Sequence, residues 1–380
     1  MVTLSPIGAS THEGEGSVGT AIESVPLGVS VCIPCFNSSA RLPETLWHLQ
    51  KQRIPEGLNW EVIVIDNNST DDTAAAAKRL WADFCGAPIR VIHEPRVGAS
   101  HARARALLEG RYEFIAFVDD DNWVCEDFVA LVYEVMAAHP EVGACGGRGS
   151  PVFESGMVPD WFWRFQEYYA TGAQADQAGY LPTSRGAFHS AGMALRKSAW
   201  QGLLSGGFDF KLKGRKGTEL SAGEDTELCY ALQLAGWKLW YDPRLTFDHF
   251  ITAGRLEWSY LIRMNRGSGV ARCWVDIYAR QLSPENHAFS HLPIPPAVAG
   301  RIRDTWLYQV YSRFRALRNL RDKSQRTSSD DPEMREVVTA HVDGYLRELL
   351  RNPFSYMLFK ARLRKARWRK QQVIGSPASH

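Results

Sequence analysis

The sequence of 380 residues has no apolar run that approaches the roughly 20 residues needed for a membrane-spanning helix. Its N-terminus also lacks the charged and apolar regions of a signal peptide, so we expect a cytoplasmic protein. Seven cysteines, an odd number scattered along the chain, argue against a disulfide framework. The net charge of +2 is too small to suggest nucleic-acid binding, and we expect no nucleic-acid partner.

Acidic residues are absent from the C-terminal segment. From Arg351 onward the chain has eight Lys or Arg and no Asp or Glu, and apolar side chains such as Phe354 and Trp368 lie among them. A basic amphipathic segment with a Trp is typical of elements that bind an anionic membrane surface. We therefore expect peripheral attachment to the inner face of the cell membrane. The alternatives are a helix packed on the body by one stripe and a nonspecific polyanion binder.

Apolar and helical segments alternate along the first part of the chain. Strands are predicted at 27–34, 60–65, 89–93 and 114–118, and helices at 42–52, 71–84, 99–110 and 126–138. Nearly continuous apolar strands separated by helices predict an α/β fold with a parallel sheet covered on both faces. We expect a mobile arm at 1–26, one domain at 27–275, and a helical extension with the basic tail at 276–380.

Three consecutive aspartates, Asp119, Asp120 and Asp121, follow the predicted strand 114–118. Neighbouring carboxylates raise one another's pKa unless a divalent ion compensates their charge. Oxygen ligands favour Mg²⁺ or Mn²⁺, and such ions commonly bridge a diphosphate. The triplet therefore predicts a cation site, with a helix N-cap or a solvated turn as the alternative.

Other polar residues follow the ends of the neighbouring strands. Asp66 offers an acceptor for the imide N–H of uracil or thymine, and Phe36 could stack on such a ring. The residues after Asp66 also favour an Asx turn. Arg96 and Arg103, on either side of Gly98, either pair with phosphate or lie solvated beside the helix.

Four motifs occur together in the order and spacing of a known family: VSVCIPCFN, EVIVIDNNSTDDT, PRVGASHARA and FVDDDNWV. The segments GAFHSAGMALRKSAW and SAGEDTELCYALQLAGWKLWYDP extend the similarity over roughly residues 27–266. The chain resembles the inverting, nucleotide-sugar-dependent glycosyltransferases of family 2. The resemblance implies a GT-A fold, which is a Rossmann-like, mostly parallel sheet flanked by helices.

The resemblance also implies roles for individual positions. The nucleoside pocket would comprise Pro34, Phe36, Asn37, Asp66 and Asn67. The outer members of the D-x-D motif would be Asp119 and Asp121, with Asp121 on the metal and Asp120 beside the donor.

The GED motif would supply the general base. Asp225 would deprotonate the acceptor hydroxyl, with Glu224 beside it. The alternative is an acidic pair favoured by the dipole at a helix N-terminus. His249 either completes the metal site or is a core histidine.

These motifs predict transfer of a sugar from a UDP- or dTDP-linked donor to a saccharide or lipid-linked saccharide in cell-surface polysaccharide assembly. The aromatic segment MVPDWFWRFQEYYATG is either a core helix or a platform for the acceptor. A nucleotidyltransferase would need a Gly-rich basic loop after the first strand, where the chain has CFNSSARLPE. A non-catalytic scaffold subunit is disfavoured because both Asp121 and Asp225 are present.

Overall fold

The computed structural model describes residues 25–154, 156–182, 185–212, 214, 223–282, 305–322 and 331–369. Residues 1–24 of the expected mobile arm lie outside this part of the chain. The strands are β1 Val29–Cys35, β2 Trp60–Asp66, β3 Ile89–His93, β4 Phe114–Phe117, β5 Asn122–Val124, β6 Val142–Phe153, β7 Gly179–Tyr180, β8 Ala194–Arg196 and β9 Lys238–Ile251.

Helices connect these strands and continue beyond them. They are α1 Leu42–Gln50, α2 Thr73–Trp81, α3 Ala99–Glu109, α4 Phe128–Ala138, α5 Phe162–Phe165, α6 Lys197–Ser205, α7 Glu224–Leu234, α8 Trp258–Leu282, α9 Trp306–Arg321, α10 Pro332–Arg351 and α11 Pro353–Arg364. Short 3₁₀ helices lie at Gln166–Tyr169 and Ala253–Leu256.

The described strands form one mixed sheet in the order β3-β2-β1-β4-β8-β6-β9-β5, and β7 pairs with β9. β1 to β4 are parallel, while β5, β7 and β8 join antiparallel to their neighbours. The α/β prediction is confirmed, and the carboxyl ends of β1, β2 and β4 meet at one edge of the sheet. Ligands of open α/β sheets bind at such an edge.

Both faces of the sheet are covered, which explains the continuous apolar strands. Val62 and Val64 of β2 belong to one core cluster, whereas Ile63 and Ile65 belong to another on the opposite face. All four are fully buried, and burying one such side chain stabilises the fold by about 1.5–3 kcal/mol. A half-exposed strand would instead alternate apolar and polar residues.

The C-terminal helices pack closely on the body. α8 and α10 approach at Gly269 and Gly344, where a Cβ on Gly269 would lie 1.9 Å from the His341 carbonyl oxygen. Tyr356 and Leu363 of α11 are buried in the same core cluster as residues of the sheet. One side of α11 therefore packs on the body of the protein, as in the alternative that the sequence left open for the tail.

The expected domain boundary after residue 275 falls inside the continuous helix α8. Among the helices that the structure describes, none is both long enough and apolar enough to cross a membrane.

Candidate active site

A crevice of about 380 Å³ opens at the carboxyl edge of the sheet. Most of the predicted site residues line it: Pro34, Phe36, Asn67, Arg103, Asp119, Asp120, Asp121, Glu224, Asp225 and His249. Asn37, Asp66 and Arg96 are not among the described residues that line it. The strand ends and the distant GED motif thus converge on one cavity.

Asn37 and Asp66 organise the loops at one end of this crevice. Asn37 has a φ of 50°, a left-handed conformation that Asn tolerates better than most residues. Its side-chain oxygen accepts a hydrogen bond from the Thr70 N–H at 2.8 Å. Asp66 accepts one from the Ser69 N–H at 3.0 Å. The Asx turn expected after Asp66 is formed by Asp71, whose Oδ1 accepts from the Thr73 N–H at 3.0 Å. Beside them the Phe36 ring remains 47% exposed.

Asn67 holds the loop between β3 and α3. Its amide donates to the carbonyl oxygens of Glu94 and Arg96 and accepts from the Gly98 N–H at 2.8 Å. The Arg96 side chain is 63% exposed and pairs with Glu94 at 2.8 Å. That contact engages Arg96 outside the crevice lining.

Each aspartate of the triplet has its own arginine. Asp119 lies 3.2 Å from Arg103, and Asp120 lies 2.6 Å from Arg41. Asp121 lies 3.3 Å from Arg255. Burial and the neighbouring Asp121 raise the pKa of Asp120 to about 6. Burial acts in the same direction on Asp121, but the guanidiniums of Arg255 and Arg41 hold the pKa of Asp121 well below its ordinary value.

Asn122 fixes the turn that carries the triplet. Its side-chain oxygen accepts from the Asp119 N–H at 3.2 Å, and its own N–H donates to the Asp119 carbonyl at 3.0 Å. Asn122 is fully buried, so these contacts hold the turn at the rim of the crevice.

Arg103 connects the two acidic motifs. Its guanidinium is 12% exposed and pairs with both Asp119 and Glu224. It also donates to the Ser190 hydroxyl at 2.7 Å. Burial alone would lower the pKa of Arg103, but Asp119 and Glu224 raise it. One buried cation thus holds residues that are more than a hundred positions apart in sequence.

Glu224 and Asp225 occupy different environments at the start of α7. Glu224 is buried against Arg103 and also accepts from the Gly223 N–H at 3.1 Å. Asp225 is only partly buried and lines the crevice. The Ser190 N–H donates to its Oδ2 at 3.0 Å and the Thr226 N–H to its Oδ1 at 2.6 Å. The two backbone donors orient the Asp225 carboxylate toward the open side.

His249 reaches Asp121 through the pairing of β5 with β9, which sets Asn122 opposite His249. His249 Nδ1 lies 2.6 Å from the Tyr169 carbonyl oxygen, and Nε2 lies 3.1 Å from Arg255 Nη1. A carbonyl can only accept and a guanidinium can only donate. Nδ1 therefore carries the proton, and Nε2 presents a lone pair 3.6 Å from Asp121 Oδ2.

The side chains around Asp121 and His249 could supply some, but not all, of the ligands of a divalent cation. A neutral imidazole nitrogen and a carboxylate are competent Mn²⁺ ligands, and the crevice lining holds five carboxylates against three guanidiniums. No cluster of three or more His, Cys, Asp or Glu in the described chain is arranged as a complete metal site. Asp121 and His249 would need further ligands from a substrate.

The sequence analysis did not identify Arg41 and Arg255 as site residues. Charge balance could have indicated that such arginines exist, because three adjacent aspartates in a buried turn require compensating cations. The sequence could not identify which arginines supply them, since Arg41 is about 80 positions before the triplet and Arg255 follows β9.

The aromatic segment 157–172 contributes side chains both to the core and to the crevice. Phe162, Phe165 and Tyr169 are at most 1% exposed and form a core cluster with α8 residues. Tyr168 lines the crevice, and Trp163 is 52% exposed.

Residues 30–202 match the family model described as Glycosyl transferase family 2. Succinoglycan biosynthesis protein ExoM of Rhizobium meliloti (strain 1021) is 26% identical over 62% of this chain and 71% of that protein. The uncharacterized glycosyltransferase YfnE of Bacillus subtilis (strain 168) is 33% identical over 36% of this chain. The match spans only 33% of YfnE, about a third of its length.

Two solved structures are similar at low sequence identity. S. aureus TarS 1–349 in complex with UDP has a TM-score of 0.46 and 15% identity, covering 89% of this chain and 92% of that one. The mannosyltransferase PcManGT from Pyrobaculum calidifontis, in complex with GDP-Man and Mn²⁺, has a TM-score of 0.48 and 16% identity over 88% and 86%.

Proposed function

We propose that this chain, whose residues 30–202 match the family model of glycosyltransferase family 2, transfers a sugar from a UDP- or dTDP-linked donor to a hydroxyl of a saccharide or lipid-linked saccharide. The carrying observation is the crevice in which the aspartate triplet and the GED motif meet through Arg103. The name of the relative ExoM, a succinoglycan biosynthesis protein, supports a role in cell-surface polysaccharide assembly.

The donor would occupy the end of the crevice that Pro34 and Phe36 line. The exposed Phe36 ring offers a stacking surface for uracil or thymine. Asp66 Oδ1 already accepts from the Ser69 N–H, whereas Oδ2 lies 3.7 Å from His93 Nδ1. Oδ2 is the oxygen that we assign to the imide N–H of the base. Asn37 and Asn67 shape the surrounding loops.

Asp121 and His249, with Asp119 nearby, would hold Mn²⁺ or Mg²⁺, which when bound compensates the charge of the leaving diphosphate. Asp120 stays paired with Arg41. Because Arg103 is engaged by two carboxylates, we assign it to positioning those groups. Arg96, paired with Glu94, is assigned to the loop between β3 and α3.

Asp225 would act as the general base. As the acceptor oxygen bonds to the anomeric carbon, the bond from that carbon to the diphosphate oxygen breaks and the acceptor proton passes to Asp225. The electron pair of the broken bond leaves on the diphosphate. One displacement of this kind inverts the anomeric centre. Glu224 supports the base by anchoring Arg103.

The acceptor would enter from the side of the crevice lined by Tyr168 and His189. Tyr168 is the aromatic residue of the segment 157–172 that we assign to the sugar-stacking role. The desolvated His189 imidazole has a lowered pKa and stays neutral there.

We also propose that α9 and α11 bind an anionic membrane surface, as expected for a peripheral protein on the cytoplasmic face. Leu307, Tyr311 and Phe314 are exposed on one stripe of α9. The outward side of α11 exposes Phe354, Met357 and Leu358. Neither helix contains Asp or Glu. Apolar stripes on helices whose charged residues are all cations complement an anionic bilayer.

Metal-dependent donor binding tests the proposal. UDP- and dTDP-sugars with Mn²⁺ should raise the melting temperature, because a ligand at 100 times its Kd stabilises the fold by about 2.7 kcal/mol. Asp121→Ala and EDTA should each remove the shift, and Asp121→Ala should lose donor turnover.

The matched control is Asp127→Ala, which removes a carboxylate that is paired with Arg53 outside the described crevice lining. This variant should behave as wild type in donor binding and turnover. Full transferase activity in Asp121→Ala would contradict the assignment of the site.

A further inference from the structure

Arg255 contacts the two atoms that the proposed metal site needs most. Its Nη1 lies 3.3 Å from Asp121 Oδ2 and 3.1 Å from His249 Nε2. A guanidinium proton and a metal ion cannot use the same lone pair at once. Metal binding through Asp121 and His249 therefore requires Arg255 to leave this position.

The surroundings of Arg255 allow its side chain to move while its backbone stays fixed. The Arg255 N–H donates to the Thr252 carbonyl at 2.9 Å, and its own carbonyl accepts from the Tyr169 hydroxyl at 2.9 Å. The guanidinium lines the crevice and is 15% exposed. Its Nε is buried without a hydrogen-bond partner in the described chain.

Charge explains why a cation occupies this place. Asp121 is largely buried and adjoins Asp120, so without a counter-ion its negative charge would be strongly unfavourable. Arg255 supplies that counter-ion. When a diphosphate and a divalent ion enter together, they bring new negative charge that a displaced guanidinium can meet.

Resting on the proposed function, we propose that Arg255 is an exchangeable counter-ion of the metal site. Its guanidinium contacts Asp121 and His249 when the crevice is empty. When the metal ion binds to those two residues, the guanidinium moves to the diphosphate of the donor. This exchange couples metal binding to donor binding, so that the ion is held weakly until the diphosphate arrives.

The expected size of the effect follows from competition. If the ligand pair is free of Arg255 in about a tenth of the molecules, the apparent Kd for the metal is about tenfold weaker than the intrinsic one. Removing the guanidinium should therefore strengthen metal binding in the absence of nucleotide. A residue that merely supported the site would weaken metal binding when removed.

The test is Mn²⁺ titration of the full chain, followed by the electron paramagnetic resonance signal of free Mn²⁺. Arg255→Gln should bind Mn²⁺ about tenfold more tightly than wild type when no nucleotide is present. With saturating UDP or dTDP the gain should disappear, because the variant lacks the contact with the diphosphate. Thermal unfolding of each variant verifies that it is folded.

Arg41→Gln is the matched control, because it removes the same charge from Asp120 and leaves the contacts of Asp121 and His249 unchanged. Its gain in Mn²⁺ affinity should be clearly smaller. An equal gain in both variants, or no gain in Arg255→Gln, would overturn the exchange. Absence of Mn²⁺ binding in every form, with or without nucleotide, would overturn the metal-assisted function as well.

Discussion

Neighbouring carboxylates at the start of α7 acquire different tasks from their surroundings. Glu224 faces inward to a buried arginine, whereas Asp225 faces the crevice with both oxygens oriented by backbone N–H groups. A carboxylate neutralised by a buried guanidinium is a poor proton acceptor. At the residue scale, the environment therefore assigns the proton transfer to Asp225 and the structural role to Glu224.

Replacing Asp225 by Asn should separate chemistry from binding. The amide keeps the shape but cannot accept the acceptor proton, so transfer should fall by a factor on the order of 10² to 10⁴. Donor binding, measured by calorimetry, should be unchanged. The amide also leaves one of the two backbone donors unsatisfied, so thermal unfolding is measured in parallel. Loss of donor binding in a folded Asp225→Asn variant would assign the residue to the donor site.

At the scale of elements, α7 is joined to α8 through a buried acid. Glu227 is fully buried and accepts a hydrogen bond from the Tyr278 hydroxyl of α8 at 2.6 Å. It also accepts from the N–H groups of Lys211 and Leu212. These contacts fix the helix whose first turn carries Asp225.

Glu227 should make stability depend on pH. Burial raises its pKa from 4.5 to about 7, against the opposing effect of its hydrogen bonds. The folded state therefore binds more protons than the unfolded state between these values, and the free energy of unfolding should decrease as pH rises from 4.5 through about 7. The contribution is at most about 3 kcal/mol. Urea unfolding of wild type and Glu227→Gln from pH 5 to 8 measures it.

Glu227→Gln should flatten this part of the pH profile, since the amide does not titrate. The difference in unfolding free energy between the two proteins should therefore change between pH 5 and 8 by the amount that the titration of Glu227 contributes. Equal slopes in the two proteins would show that another group causes the dependence.

At the scale of the whole molecule, the C-terminal helices have a packed side and an exposed side. Tyr356 and Leu363 belong to the core, and Trp368 packs on Phe208 with ring centroids 5.5 Å apart. Removing the tail would uncover these side chains. Membrane binding therefore has to be tested by substitutions on the outward face.

Changing Phe354, Met357 and Leu358 to Ser should reduce sedimentation with anionic liposomes without unfolding the protein, because all three are largely exposed. Each nearby Lys or Arg contributes about 1 kcal/mol of attraction to such a surface. Binding of the intact protein should also weaken as salt is raised.

Leu108→Ser is the control, because it removes an exposed apolar side chain of α3, distant in sequence from the tail. Equal sedimentation of the triple variant and this control would refute the membrane role.

Helix and strand positions could be predicted because their signals are local. The apolar run before Asp66 and the Ala-rich segment after Asp71 each reveal their structure within a few residues. The antiparallel strands β5, β7 and β8 are two or three residues long, too short to show a period. For this reason the sequence indicated β1 to β4 and missed these antiparallel additions. The sequence also indicated no strand at 142–153, where β6 pairs in parallel with β9.

By itself the sequence determined the order of the elements and the strand ends that carry Phe36, Asp66 and Asp121, since parallel strands bring their carboxyl ends to one edge. Only the tertiary structure decided which arginine meets which aspartate. The pairing of Asp121 with Arg255 depends on the register of β5 against β9, and that register is set by packing between segments more than a hundred residues apart. Partner choice of this kind leaves no local pattern in the chain.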